Sequence, residues 1–121
     1  MANPSTTGPS GIGSEVLRRK ALTAANNTES TLLTVGTDMI VTVLSVIYTN
    51  TQSASKIFDL KVAVDGAGGT AHQIARAPSV AQYETYVFNE KFVLTETDVL
   101  KCWSDSTSHD VYVSYIEQEF E

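Results

Sequence analysis

His109 stands in the segment DSTSHD (105–110), with Asp105, Ser106 and Ser108 before it and Asp110 after it. Carboxylates and hydroxyls at this density are oxygen donors of the kind Ca²⁺ prefers, but their spacing is not that of an EF-hand. The same residues turn a chain through Asx and Ser/Thr hydrogen bonds. The sequence favours that second use, in a loop between two strands. His72 alternates with Ala71 and Gln73 in TAHQIA (70–75), which suits a solvated or hydrogen-bonded strand position. Neither histidine has a partner at metal-ligand spacing, and Cys102 is the single cysteine, so no internal disulfide can form.

The other familiar chemistries fail on pattern. A phosphate loop needs a lysine and a helix behind its glycines. DGAGGT (65–70) has no lysine and a strand signal follows it, so Asp65 to Gly69 read as a hairpin turn. GIGSEV (11–16) lacks the third glycine of a dinucleotide fingerprint, and no strand precedes it. There is no G-x-S-x-G elbow to seat a nucleophile. Glu96 and Asp98, in LTETDVL, resemble a turn that launches a strand more than a glycosidase pair. Trp103, Tyr83, Tyr86, Tyr112 and Tyr115 are capable of stacking on a sugar, yet sandwich cores and subunit interfaces use the same residue types. The expectation is a protein that is not an enzyme and uses no cofactor or metal. Trp103, Tyr112 and Tyr115 are its candidate ligand or interface aromatics.

The elements that would position these residues are strands. MIVTVLSVIYT (39–49) has seven β-branched residues in eleven, and stiff χ1 torsions favour a pleated surface over a helix. Its apolar residues fall on both faces, as in a central strand or one bent between sheets. In IFDLKVAV (57–64), Phe58, Leu60, Val62 and Val64 share one face and Asp59, Lys61 and Ala63 the other, the period of a half-buried antiparallel strand. Further strand signals lie at 16–22, 30–35, 70–75, 83–88, 92–94, 99–104 and 111–120. Eight or nine strands with turns every ten or so residues predict an all-β, antiparallel two-sheet sandwich of jelly-roll type over 16–121.

Residues 1–15 read as an extended arm that holds Pro4, Pro9 and Ile12 among glycines, serines and threonines. Such a segment buries too little apolar surface to offset its ordering entropy alone, so a neighbouring subunit would have to hold it. Its start has neither the basic nor the apolar region of a signal peptide. The most apolar run, MIVTVLSVIY, is too short to span a bilayer, so no membrane partner is expected. The chain's formal charge of −6 argues against nucleic acid. Charge is uneven: residues 1–20 hold Arg18, Arg19 and Lys20 against Glu15, while thirteen acids face five bases in the rest. That basic collar suits docking to an acidic neighbour, an identical subunit included, and it equally suits an ordinary solvated surface.

The order of segments carries a resemblance. TLLTV, a Gly-containing turn, the strand ending VIYTN, the loop TQSAS and FDLKVAVDG are followed by FVLTETDVLKCWS and VYVSYIE. Over residues 21–118 this resembles the small β-sandwich virion proteins of tailed bacteriophages, often jelly rolls. It departs from them in two turns, VGTD (35–38) and TETD (95–98). The resemblance implies a structural subunit mounted in many copies on a virion, assembled in the host bacterial cytoplasm, beside the major capsid or other virion proteins. Capsid decoration is the leading position. A neck, tail or baseplate accessory, or a carbohydrate- or receptor-binding module, are the alternatives.

Overall fold

The structure, a computed structural model, describes residues 15–25, 29–64, 66, 69–106 and 108–119. They form nine strands: β1 (Glu15–Ala25), β2 (Ser30–Thr34), β3 (Met39–Asn50), β4 (Lys56–Ala63), β5 (Ala71–Val80), β6 (Thr85–Phe88), β7 (Phe92–Leu94), β8 (Val99–Ser104) and β9 (Ser108–Glu119). One sheet runs β1-β9-β3, with β6 and β7 both on the free edge of β3; the other runs β2-β8-β4-β5.

Counted as one interrupted strand, β6 and β7 complete a simple pattern. The pairs β1/β9, β2/β8, β3/β6–β7 and β4/β5 are successive rungs of one antiparallel ribbon. The ribbon folds over so that β9 also pairs with β3, and β8 with β4. That wrapping makes the two-sheet jelly roll the strand periodicity predicts. Of the expected arm, residues 1–14 lie outside the described residues, and Glu15 is already part of β1.

The two apolar faces of β3 have a local cause. Val43 pairs with Tyr115 but Ser45 with Ser114, so Leu44 is an extra residue in the ladder. A bulge of one residue exchanges inward for outward positions along the rest of a strand. Val41 and Val43 therefore point into the core before it, and Val46, Tyr48 and Asn50 after it. A second bulge, in β2 between Thr31 and Leu33, lets the consecutive Leu32 and Leu33 both be buried.

Tyr48 from one sheet and Phe58 from the other stack at the centre with ring centroids 4.5 Å apart. Leu60, Leu100, Val111 and Val113 close around them without exposed surface. Burial of side chains of this size contributes ~1.5–3 kcal/mol each. Strand β5 runs past the expected end at residue 75 and includes Pro78. This is tolerated because β5 is an edge strand and the ladder breaks its register there, between Lys56 and Phe58.

The described residues of the glycine-rich segment close a turn, as its sequence predicts, while Asp65, Ala67 and Gly68 lie outside the described residues. Val64 N–H donates to Thr70 O at 3.1 Å and Gly69 N–H to Gly66 O at 2.9 Å. Gly66 has φ +104°, and a Cβ on Gly69 would collide with the Val64 carbonyl. Both glycines are needed to close the hairpin.

Candidate functional site

The outward side of the β1-β9-β3 sheet carries two largely apolar rows, with the polar row Arg19, Ser114 and Ser45 between them. Cross-strand register places Ala21, Tyr112, Ile47 and Val87 in one row across β1, β9, β3 and β6. A parallel row joins Leu17, Ile116, Thr42 and Val93. Leu17 is 70% exposed, Val93 59%, Val87 51% and Tyr112 38%, four of the six exposed large hydrophobic residues among the described residues. Between the rows the bulge residue Leu44 joins Leu17, Arg19, Tyr112 and Ser114 around an open depression of about 370 Å³. A second, of about 210 Å³, lies by Ala21, Thr23, Ile47, Asp110 and Tyr112. Contiguous exposed apolar surface of this kind marks interaction sites.

Few charges interrupt this face. Arg19 sits one row to one side of the Ala21–Val87 row, opposite Ser114; Asp110 sits one row to the other side, opposite Thr23. Thr23 Oγ1 donates to Asp110 Oδ1 at 2.7 Å. At the far end Gln118 Nε2 donates to Glu15 Oε1 at 2.9 Å.

The outward side of the other sheet is built from ions. Arg76, Asp59 and Trp103 form a row across β5, β4 and β8. The buried Asp59 carboxylate accepts from Arg76 at 3.4 Å and Gln73 at 3.3 Å. In the next row Lys61 and Lys101 stand directly opposite each other, and Glu29 bridges them at 3.7 and 3.4 Å. Without Glu29 that like-charge pair would be unfavourable.

The open end of the sandwich, where 51–55, 81–84 and 105–106 meet, is polar inside. Tyr48 OH and Ser104 Oγ are 2.9 Å apart, and Ser104 Oγ accepts from Ser106 N–H at 3.2 Å. Burial raises the Tyr48 pKa despite the Ser104 bond. Asn50 Nδ2 reaches Ala54 O, Val80 O and Ala81 O at 2.8, 3.0 and 3.1 Å, and its Oδ1 accepts from Gln52 N–H at 2.9 Å. Asn50 thereby ties two loops to β3.

His109 differs from the expectation. It lies within β9, not in a loop, and its ring is fully buried 5.4 Å from that of Tyr48. Neither ring nitrogen has a hydrogen-bond partner among the described residues. Burial pushes its pKa down, partly opposed by Asp110. The reason for the difference is the strand period: His109 takes the next inward slot before Val111, Val113 and Tyr115. His72 is exposed on β5, as its alternation suggests.

The remaining sequence candidates scatter. Asp105 Oδ1 accepts from Ile57 N–H at 2.8 Å, and Asp110 is occupied on the outer face by Thr23, so the two carboxylates serve local structure. Asp98 Oδ2 accepts from Thr95 N–H at 3.0 Å and Glu96 Oε2 from Asp38 N–H at 2.9 Å, joining the VGTD and TETD turns. No group of three or more His, Cys, Asp or Glu side chains among the described residues is placed to hold a metal ion. Trp103 lies half-buried on the outer side of one sheet, Tyr112 on the outer side of the other, and Tyr115 is buried. They share no face. Arg18 pairs with Glu117 of its own chain at 2.8 Å, while Arg19 and Lys20 are exposed. Pro4, Pro9 and Ile12 lie outside the described residues. The apolar face itself escaped sequence reading, although the residues of β1 and β9 that build it lie in segments read as strands.

No protein-family model matches the chain, and no curated protein matches it in sequence. Solved structures share its fold. A protein of Bacillus endospore appendages, described as a family of disulfide-linked pili, superposes with TM-score 0.53 at 12% identity over 89% of this chain and 90% of its own. A chain of infectious bursal disease virus, Gx strain, gives TM-score 0.53 at 14% identity over 89% of this chain and 34% of the viral one. A Clostridium thermocellum xylanase with CBM22-1 and GH10 modules gives 0.48 at 15% identity, over 100% of this chain and 24% of its own. At these identities the likeness to the first two is one of fold alone.

Proposed function

We propose that the chain is a non-enzymatic structural subunit of a bacteriophage virion, mounted in many copies, with capsid decoration as its leading position. The observation that carries the reading is the apolar outer face of the β1-β9-β3 sheet, on which Leu17, Val87, Val93 and Tyr112 are exposed together. A protein with net charge −6 stays soluble through its other surfaces, and this one is suited to being covered. Support also comes from the two structures of like fold, one from a pilus and one from a virus. The pilus is described as disulfide-linked. The one cysteine of this chain, Cys102, is buried, and burial pushes its thiol up to about 12, which disfavours the thiolate such a linkage needs. Weak non-covalent contacts become firm when many copies attach together.

Quantitative mass spectrometry of purified virions of the phage that encodes the chain tests this reading. Recovery in many copies per particle is the expected result. Absence from particles would overturn it.

A further inference from the structure

We infer that the part of the apolar face centred on the Ala21–Val87 row is the site at which a second copy of this chain docks, face to face about a two-fold axis. The inference rests on the structural-subunit reading and names the partner. It follows from how charge is arranged around the Ala21–Tyr112–Ile47–Val87 row.

A two-fold axis laid along that row turns the face onto itself and exchanges the rows on either side. Apolar side chains then meet their own counterparts along the axis. Arg19, one row to one side on β1, lands over Thr23 of the second copy, on the strand next to that copy's Asp110. Adjacent strands lie ~4.8 Å apart, within the reach of an arginine side chain. Symmetry makes the contact twice, so each Arg19 meets an Asp110. The Thr23 hydroxyl already holds that carboxylate at 2.7 Å in a fixed position. The result is an apolar centre with a charge-matched polar rim, which is the usual anatomy of an interface. Two of the chain's acids, Glu29 and Asp59, face outward from the other sheet and stay clear of the contact.

The footprint is small. Four strands ~4.8 Å apart and about six residues long at ~3.3 Å each give on the order of 400 Å² per copy. That is roughly half of what one partner buries in a standard interface. The pair is therefore weak in isolation, with a Kd on the order of 0.1–1 mM, and is consolidated by the lattice of neighbours on a particle.

Sedimentation equilibrium of the full chain up to ~1 mM, at low and high salt, tests the pairing. The expected result is a monomer–dimer equilibrium. R19D and D110R should each weaken it about fivefold or more, the R19D/D110R double variant should recover most of the loss, and V87E should abolish it. Circular dichroism of each variant shows whether the fold is kept, and V87E alters an exposed side chain. A wild-type chain that stays monomeric throughout overturns the inference. So does a dimer indifferent to V87E and to the single charge reversals. A chain that is monomeric yet recovered in virions removes this pairing and leaves the subunit reading standing; one that pairs but is absent from virions does the opposite.

Discussion

Tyr48 OH and Ser104 Oγ meet 2.9 Å apart inside the sandwich, one from each sheet. Ser104 Oγ also accepts from Ser106 N–H, so it holds two contacts where the Tyr48 hydroxyl holds one with it. Losing a buried partner costs more than losing the group that needs it. Ser104→Ala, which removes both contacts, should therefore destabilise by ~2–3 kcal/mol, and Tyr48→Phe, which removes one, by ~1–2 kcal/mol. Urea denaturation of both variants and of the double variant checks the order. Equal losses would show that the serine has no second role.

Gly69 is the backbone contact on which the β4–β5 hairpin closes. Gly69→Ala should cost ~1–3 kcal/mol, because its Cβ meets a main-chain carbonyl that cannot move aside cheaply. Thermal unfolding of the variant measures the loss. A Tm equal to that of the wild type would show that the turn opens without penalty.

Burial sets the pH response of His109. Its folded-state pKa lies below the ordinary 6.5, so on acidification the unfolded chain takes up the proton first. The stability this group contributes is whole above that value and is lost as pH falls from 6.5 towards the depressed pKa. Urea midpoints should decline between about pH 7.5 and about pH 5.5, above the carboxylate range, and His109→Leu should flatten the decline. An unchanged slope in the variant would remove His109 as its source.

Glu29 relieves the repulsion between Lys61 and Lys101. All three side chains are partly exposed, so the effect is small and screened by salt. Glu29→Gln should destabilise by ~0.5–1 kcal/mol at low ionic strength and by less at high ionic strength. Denaturation at two salt concentrations makes the comparison. A loss that does not depend on salt would mean that Glu29 acts through packing instead.

Much of this architecture was legible in the residues. Alternation in IFDLKVAV placed Phe58 and Leu60 in the core, and the DG step with its following glycines placed the hairpin. Val64 is the exception, for it leaves the strand at the turn and is 38% exposed. Leu44 shows why pattern alone stopped short in β3. A bulge is set by how a partner strand accommodates an extra residue, and one strand read alone then looks apolar on both sides. His109 was recoverable, since the two-residue rhythm of β9 extends back from Val111, but the turn-forming residues around it outweighed that signal. The candidate site was the least visible part. Leu17, Tyr112, Val87 and Val93 come from four strands, and only the order β1-β9-β3-β6 makes them neighbours.

The claim that the outer face of this sheet exists to be covered is tested most directly by hydroxyl-radical footprinting of the isolated, dilute chain and of the assembled particle. Leu17, Val87, Val93 and Tyr112 should be labelled readily when the chain is free and protected by about tenfold or more in the assembly, as burial in an interface core requires. Equal labelling in both states would contradict the claim and leave the face without a partner.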